Sequence, residues 1–202
     1  MESKQAHWEE VYRTKTSDQV SWTQEKPLIS LELIHSFELP LSAKIIDIGG
    51  GDSKLVDHLL EEGFSNITVL DISSKALEKA KQRLGRKADM VNWIVNDINN
   101  FDTNEKFDLW HDRAAFHFLT ESDQIKRYTS LAAKSVSGFM IIGTFAIDGP
   151  ENCSGLPVTR YSINSLVSNF NSSFNNTECK SEEHRTPAGK IQHFIFCGFK
   201  RK

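Results

Sequence analysis

Ile-Ile-Asp-Ile-Gly-Gly-Gly-Asp-Ser, at residues 45–53, is a short apolar run that leads into three consecutive glycines. A run of β-branched residues bounded by glycine predicts a buried strand followed by a turn. Glycines at such a turn let the backbone pass close to a ligand and adopt dihedral angles that a Cβ would forbid. The stretch therefore predicts a strand, a ligand-binding turn and the start of a helix.

Beyond this stretch, β-branched runs alternate with segments that have apolar residues at helical spacing. The predicted strands are residues 44–48, 67–71, 91–95, 107–112 and 138–145, and the predicted helices include 54–62, 75–84 and 123–136, the last opened by a capping box from Thr120 to Asp123. This alternation predicts an α/β fold with a parallel sheet and crossover helices. Residues 173–180 and 191–200 are too close together for a crossover helix and predict an antiparallel hairpin at the end of the sheet.

Residues 1–43 precede the glycine turn and have a different pattern. A helical stretch surrounds Trp8 and Tyr12, a loop contains Trp22, and Pro27 starts a second helix. We interpret residues 1–43 as a helical lid segment and residues 44–202 as a ligand-binding core, within one domain. Trp22 and Tyr12 are the side chains that we expect to close over the ligand.

Two acidic positions follow the next strands of the predicted sheet. Asp71 lies twenty positions after Gly51, a distance at which a carboxylate can bind both ribose hydroxyls of an adenosine-containing ligand. Asp97 follows the third strand, where it could accept a hydrogen bond from an adenine amino group. Ile72 and Ile98, the neighbours of these carboxylates, belong to the same predicted site, with Ile98 packed on the ring.

These residues resemble the sequential motifs of class I S-adenosylmethionine-dependent methyltransferases over about residues 44–200. The family's Asp-x-Gly-x-Gly-x-Gly turn is similar to Asp47, Gly49 and Gly51, with Gly50 between them, whereas Ser53 replaces the last glycine. The family's two acidic positions match Asp71 and Asp97. The resemblance implies a Rossmann-like, seven-stranded sheet whose last strand is antiparallel. It also implies that the cofactor is S-adenosylmethionine and the product S-adenosylhomocysteine.

A nicotinamide dinucleotide is the competing ligand for a glycine turn. It would place a pyrophosphate at the start of the following helix, where Asp52 would repel it. S-adenosylmethionine has no phosphate and carries a positive sulfonium. The charge of Asp52 therefore favours the methyl donor.

The acceptor side is predicted at the end of the fourth strand, where His111, Asp112 and Arg113 are candidate catalytic residues. The alternative for Asp112 and Arg113 is a structural ion pair, and the alternative for the nearby His117 is a packing role in the core. The Asp-Arg-Ala-Ala run here is similar to the corresponding region of thiopurine methyltransferase-like enzymes. The N-terminal part is similar to a group of uncharacterised bacterial class I methyltransferases, whose acceptors are unknown.

The function that these features predict is in-line methyl transfer to a small-molecule acceptor. A protein (lysine) methyltransferase and a non-catalytic S-adenosylmethionine-binding module are the alternatives. A net charge of −3 gives no reason to expect nucleic-acid binding. The polar N-terminus and short apolar runs predict neither a membrane span nor secretion.

The three cysteines, Cys153, Cys179 and Cys197, are widely spaced and odd in number. Such a set predicts neither a disulfide framework nor a metal site. We therefore expect reduced thiols and a cytoplasmic protein. The pattern contains no signal for an oligomeric state.

Overall fold

The computed structural model describes residues 3–202 of the chain. The α-helices in this part are α1 (Lys4–Thr14), α2 (Leu28–Ser36), α3 (Leu55–Glu61), α4 (Ser74–Leu84), α5 (Ser122–Ser135) and α6 (Ile163–Phe170). The strands are β1 (Lys44–Ile48), β2 (Asn66–Asp71), β3 (Val91–Val95), β4 (Phe107–Arg113), β5 (Val136–Phe145), β6 (Asn152–Cys153), β7 (Leu156–Pro157), β8 (Phe174–Arg185) and β9 (Ile191–Arg201). Each helix and strand predicted from the sequence has a counterpart at nearly the same residues.

Seven strands form the main sheet in the order β3-β2-β1-β4-β5-β9-β8. The five strands from β3 to β5 are parallel, and β9 runs antiparallel to both β5 and β8. The order of strands reverses between β1 and β4, because the chain first builds the sheet towards β3 and then returns. The prediction of a Rossmann-like sheet with an antiparallel last strand is confirmed.

Both faces of the sheet are covered by helices, which explains why its inner strands are apolar on both sides. On one face Ile46, Trp110 and Met140 pack in the same core as residues of α5 and α6. On the other face Ile45 and Leu109 pack in a core shared with α2, α3 and α4. Successive residues of each strand therefore point into different cores. This alternation determines which side chains of β4 can face a site on one side of the sheet.

The start of α5 differs from the prediction. Glu121, rather than Thr120, is the N-cap, and Gln124, rather than Asp123, closes the capping box. The chosen pair is shifted by one residue along the sequence. Glu and Gln side chains make the equivalent bonds to the backbone N–H groups one residue further along, so the pattern alone did not separate the two registers.

The cysteine prediction is wrong for two of the three residues. Cys179 and Cys197 lie directly opposite each other on β8 and β9 and form a disulfide. The spacing of the two cysteines in the sequence did not predict this pairing, because it is the register of the β8–β9 hairpin that brings them together. Cys153 is a buried free thiol.

Every helix among residues 3–202 is too short or too polar to span a lipid bilayer.

Candidate active site

A cavity of about 660 Å³ lies at the carboxyl ends of β1, β2, β3 and β4, where the strand order reverses. Ligands of open α/β sheets bind at such switch points, and the volume is in the range of small-molecule sites. Helix α1 and the segment 16–24 contribute its other walls. The predicted cofactor residues that line it are Asp47, Gly49, Gly50, Asp71, Ile72, Asp97, Ile98 and Trp22.

The glycine turn wraps closely around two carboxylates. The N–H groups of Gly49 and Gly50 donate to the carbonyl of Leu70, at 2.7 and 3.2 Å. A Cβ on Gly50 would lie 2.6 Å from Asp47 Oδ2, and one on Gly51 would lie 2.9 Å from Asp71 Oδ2. Gly51 also has a φ of +45°, which disfavours any other residue. The turn therefore needs glycine for space as well as for conformation.

Asp47 is held by a buried chain of hydrogen bonds that crosses from β1 to β4 and α2. His111 Nδ1 lies 2.7 Å from Asp47 Oδ1, and His111 Nε2 lies 2.8 Å from Ser30 Oγ. The arrangement suits a neutral imidazole whose Nδ1–H donates to the carboxylate and whose Nε2 accepts from the hydroxyl. All three residues are almost fully buried. Both ring nitrogens of His111 are thus occupied, although the residue lines the cavity.

Asp71 is buried at the end of β2, directly beneath the glycine turn. The Ser73 N–H donates to its Oδ1 at 2.8 Å, and Gly51 packs closely against its Oδ2. Burial, together with the negative charges of Asp47 and Glu9, raises the pKa of Asp71 to about 7. A ligand that donates hydroxyl groups to this carboxylate would favour its ionised form.

The third carboxylate of the site stands apart from the first two. Asp97 Oδ1 accepts hydrogen bonds from the backbone N–H and the side-chain amide of Asn99, at 2.9 and 3.0 Å. Ile72 and Ile98 are half-buried and line the same part of the cavity. Two aliphatic side chains and a carboxylate at this position could hold a flat heterocycle with an amino group.

Helix α1 is attached to the core beside this site. Glu9 accepts hydrogen bonds from Ser73 Oγ, from the Ser74 N–H and from the Lys75 N–H, at 2.9, 2.7 and 3.0 Å. These N–H groups belong to the first turn of α4, where a carboxylate is stabilised by otherwise unpaired donors. Although burial opposes it, this hydrogen bonding lowers the pKa of Glu9.

The N-terminal segment contributes aromatic side chains to the cavity. The ring of Trp8 lies with its centroid 5.2 Å from that of Phe118 and 5.6 Å from that of Trp22. Tyr12 contacts the same cluster and is buried. Its pKa is raised well above the usual value, first by burial and then by the charge of Asp71. Aromatic rings therefore form one wall of the site.

Asp112 is not at the cavity. Its side chain points into the core with α5, where Oδ1 accepts from the N–H groups of Ala115 and Phe116 and Oδ2 accepts from the Tyr128 hydroxyl at 2.6 Å. The pleat of β4 explains this position, because Asp112 and Trp110 face one core while His111 and Arg113 face the other. The suggested ion pair between Asp112 and Arg113 is absent among residues 3–202 for the same reason.

Arg113 lines the cavity at the end of β4, as expected for a residue on the acceptor side. Its Nη1 donates to the carbonyl of Trp22 at 2.9 Å, and its guanidinium lies over the ring of Phe194. Lys4, the first residue of α1, lies at the same cavity and donates to the carbonyl of Phe118 at 2.9 Å. Lys4 was not predicted at the site, because only the packing of α1 against the core brings it there.

Two further residues near the site have definite surroundings. His117 is fully buried between Phe145 and Phe118, and burial lowers its pKa to about 3, so the interpretation as a packing histidine is confirmed. Cys153 lines the cavity, but burial raises the pKa of its thiol to about 11. A thiol with so high a pKa is a poor nucleophile at neutral pH.

Asp52 does not present an unpaired negative charge at the cavity, in contrast to the expectation from the sequence. Arg83 forms salt bridges with both Asp52 and Asp57, and this basic side chain also lines the cavity. The guanidinium offsets the negative charge that was expected to repel a pyrophosphate. The choice between donors therefore depends on the rest of the site and on relatives.

Known proteins agree with the methyl-donor interpretation. A family model described as a methyltransferase domain matches residues 45–135. Malonyl-[acyl-carrier protein] O-methyltransferase 1 of Ilyobacter polytropus is 29% identical over 119 residues, which cover 58% of this chain and 42% of that protein. EEF1A lysine methyltransferase 2 of Homo sapiens is 23% identical over 153 residues, which cover 67% of this chain and 65% of that protein. The chain spans about half the length of the first curated relatives it matches.

A solved structure has the same fold over nearly the whole chain. The N-methyltransferase NodS from Bradyrhizobium japonicum, in complex with S-adenosyl-L-homocysteine, superimposes with a TM-score of 0.71. The match covers 98% of this chain and 99% of that chain at 16% identity. Residues 45–135 thus match a methyltransferase domain, and the whole chain has the fold of this solved methyltransferase.

Proposed function

We propose that this protein binds S-adenosylmethionine in the 660 Å³ cavity and transfers its methyl group to a small molecule. The observation that carries the proposal is the convergence of Asp47, Asp71 and Asp97 on one cavity beside a glycine turn. A ligand with a positive sulfonium, ribose hydroxyls and an adenine amino group offers a donor or a charge to each carboxylate. The methyltransferase-domain match over the same residues supports it.

In the proposed complex, each part of the cofactor has its own contacts. Gly49, Gly50 and Asp47 would hold the methionine part, and Asp71 would accept from the ribose hydroxyls. Ile72, Ile98 and Asp97 would hold the adenine. Asp47 is a good ligand because His111 and Ser30 hold it in one orientation. Trp22 covers the sulfonium from the side of the lid.

The reaction is an in-line displacement at the methyl carbon. A lone pair of the acceptor forms the new bond, the bond from carbon to sulfur breaks, and its electron pair stays on sulfur to give a neutral thioether. Positioning the two reactants and excluding water supply most of the acceleration. The aromatic wall of Trp8, Trp22 and Phe118 serves both purposes.

The described residues offer no free general base at this end of the cavity. His111 has both ring nitrogens hydrogen-bonded, Asp112 points away, and the thiol of Cys153 has a raised pKa. We therefore assign His111 a positioning role towards Asp47, Asp112 a structural role and Arg113 a role in acceptor binding. An acceptor with a low pKa needs no base.

A protein lysine methyltransferase is the main alternative, because one relative carries that name. It is not favoured, since other relatives are named for a different acceptor and aromatic side chains of the N-terminal segment line the cavity. A non-catalytic binding module would share the cofactor site.

One labelling assay distinguishes the three candidate functions. The purified protein is incubated with methyl-labelled S-adenosylmethionine and either a small-molecule extract or a protein extract. We expect label in the small-molecule fraction. Label in protein alone would support the alternative, and label in neither fraction, with cofactor binding intact, would support the binding module.

A further inference from the structure

Two basic side chains at the acceptor end of the cavity, Lys4 and Arg113, are paired with backbone carbonyls rather than with carboxylates. Among residues 3–202, neither Lys4 nor Arg113 forms a salt bridge, and both donate to backbone carbonyls. Arg113 Nε and Nη2 are buried without a hydrogen-bond partner in the same part of the chain. The charges of Glu182 and Asp47 act on Arg113 without forming a salt bridge to it. Glu182 Oε1 accepts from Gln24 Nε2 at 2.8 Å, and its Oε2 has no hydrogen-bond partner among residues 3–202.

A buried cation with so few partners is costly to the protein. A guanidinium has five N–H donors, and only one bond, to the Trp22 carbonyl, is accounted for at Arg113. Burial disfavours the charged form and lowers the pKa of Arg113, which nevertheless stays protonated. An anion that enters the cavity would relieve this cost and gain charge-assisted, bidentate hydrogen bonds.

The charge of the cofactor leads to the same requirement. A sulfonium next to Arg113 and Lys4 would bring three positive charges together, opposed on the cofactor side by Asp47 and by the methionine carboxylate. A negative acceptor between them would reduce this repulsion, whereas an ammonium group would increase it. The absence of a free base among the described residues near the methyl group also suits an acceptor atom that arrives without a proton.

We propose that the methyl acceptor is a carboxylate on an apolar body. Arg113, assisted by Lys4, binds the carboxylate, and the rings of Trp8, Trp22 and Phe118 contact the apolar part. A carboxylate oxygen attacks the methyl carbon, the carbon–sulfur bond breaks with its electron pair on sulfur, and the products are a methyl ester and S-adenosylhomocysteine. No proton is transferred. This inference rests on the proposed function and specifies its substrate class.

The test uses the whole chain loaded with S-adenosylhomocysteine and labelled with nitrogen-15. Benzoate and hexanoate are titrated in parallel with their neutral amides, benzamide and hexanamide, and with phenyl phosphate, while the Arg113 Nε–H signal is followed. We expect saturable shifts with the two carboxylates and none with the amides. The variant Arg113→Gln should weaken carboxylate binding by about ten- to a hundredfold.

Control variants distinguish the effect of removing the Arg113 charge from the effect of disturbing the fold. Arg127→Gln removes an exposed guanidinium on α5 and should leave carboxylate binding unchanged. Arg113→Lys keeps a positive charge and should retain part of the affinity. If Arg113→Gln does not give a native circular dichroism spectrum, the comparison of carboxylate with amide in the unaltered protein still decides the question.

The outcomes of the titration are distinct. Equal binding of acids and amides, binding of neither, or binding of phenyl phosphate alone overturns the carboxylate assignment while the proposed function stands. Failure of S-adenosylhomocysteine to bind in the first step overturns the proposed function itself. As a second readout, methyl label transferred to benzoate or hexanoate should be released by mild alkali, because esters hydrolyse and methylated amines do not.

Discussion

Glu9 Oε1 accepts the backbone N–H of Ser74 at 2.7 Å, and this bond joins the lid helix to the first turn of α4. The same carboxylate binds Ser73 Oγ and the Lys75 N–H. Asp71 lies only two residues before Ser73, so the attachment point of the lid and the proposed ribose site share one loop. The position of α1 is thereby linked to the shape of the cofactor site.

The first prediction concerns this attachment. Glu9→Ala removes three hydrogen bonds and should weaken S-adenosylhomocysteine binding by about threefold to thirtyfold, because the lid then opens more often. Calorimetric titration measures the change. Glu10→Ala is the matched control, since Glu10 is exposed and pairs only with Arg13 in the same helix. Equal effects of the two substitutions would show that Glu9 does not hold the lid.

The second prediction concerns pH and Asp71. The pKa of Asp71 is raised to about 7 in the unliganded protein, and a ligand that donates hydroxyl groups favours the ionised carboxylate. Binding therefore releases a proton below that pH, and affinity should increase as pH rises. Between pH 6 and pH 8 we expect about a tenfold gain in S-adenosylhomocysteine affinity.

The control for this pH dependence is Asp71→Asn. The amide does not titrate, so its weaker affinity should be nearly constant between pH 6 and pH 8. An unaltered protein with a flat profile, or a variant with the same slope, would remove Asp71 from the ribose role.

The pH dependence of the free energy of unfolding also tests the raised pKa of Asp71. The raised pKa of Asp71 means that the unliganded folded state binds its proton more tightly than the unfolded state does. This contribution to the free energy of unfolding is complete below pH 4 and is lost as pH rises through about 7. Urea unfolding at pH 5 and pH 8 should show a smaller loss in Asp71→Asn than in the unaltered protein, and equal losses would contradict the assignment.

The third prediction separates Asp112 from catalysis. Asp112→Ala leaves the Tyr128 hydroxyl and two buried N–H groups without their acceptor. We expect it to lower the free energy of unfolding by about 2–4 kcal/mol. Tyr128→Phe removes the bond to Asp112 and also the acceptor of the buried Trp110 Nε1–H, so it should destabilise the protein as well. A stable Asp112→Ala protein with normal cofactor binding and no turnover would instead return Asp112 to the catalytic residues.

The fourth prediction concerns the disulfide between Cys179 and Cys197. It closes a hairpin in which the two cysteines are 18 positions apart. Chain-entropy arguments give about 3 kcal/mol for a loop of this size. Replacing Cys179 with Ser should lower the urea midpoint and abolish the effect of a reducing agent. Cys153→Ser is the control and should leave the response to reduction intact.

The sequence was most informative where local pattern and backbone geometry coincide. The glycine turn, Asp71 and Asp97 were found because each follows a strand, and parallel strands bring their carboxyl ends to one edge of the sheet. The seven-stranded architecture followed from the alternation of patterns together with the family resemblance.

Contacts between residues far apart in the sequence were harder to predict from it. Asp112 was predicted at the site because its neighbours are there, but the pleat of β4 turns it to the other face. The contacts of Glu9 and Lys4 depend on how α1 packs against the core, and the pairing of Cys179 with Cys197 depends on hairpin register. No local spacing encodes these relationships, since the partners are far apart in sequence or defined by register.

The central claim is that the cavity binds S-adenosylmethionine. Calorimetric titration of the purified protein with S-adenosylmethionine, S-adenosylhomocysteine and NAD, in parallel, tests it most directly. We expect micromolar binding of the first two ligands and none of NAD. Binding of NAD alone would contradict the account and would assign the glycine turn, together with Arg83, to a dinucleotide.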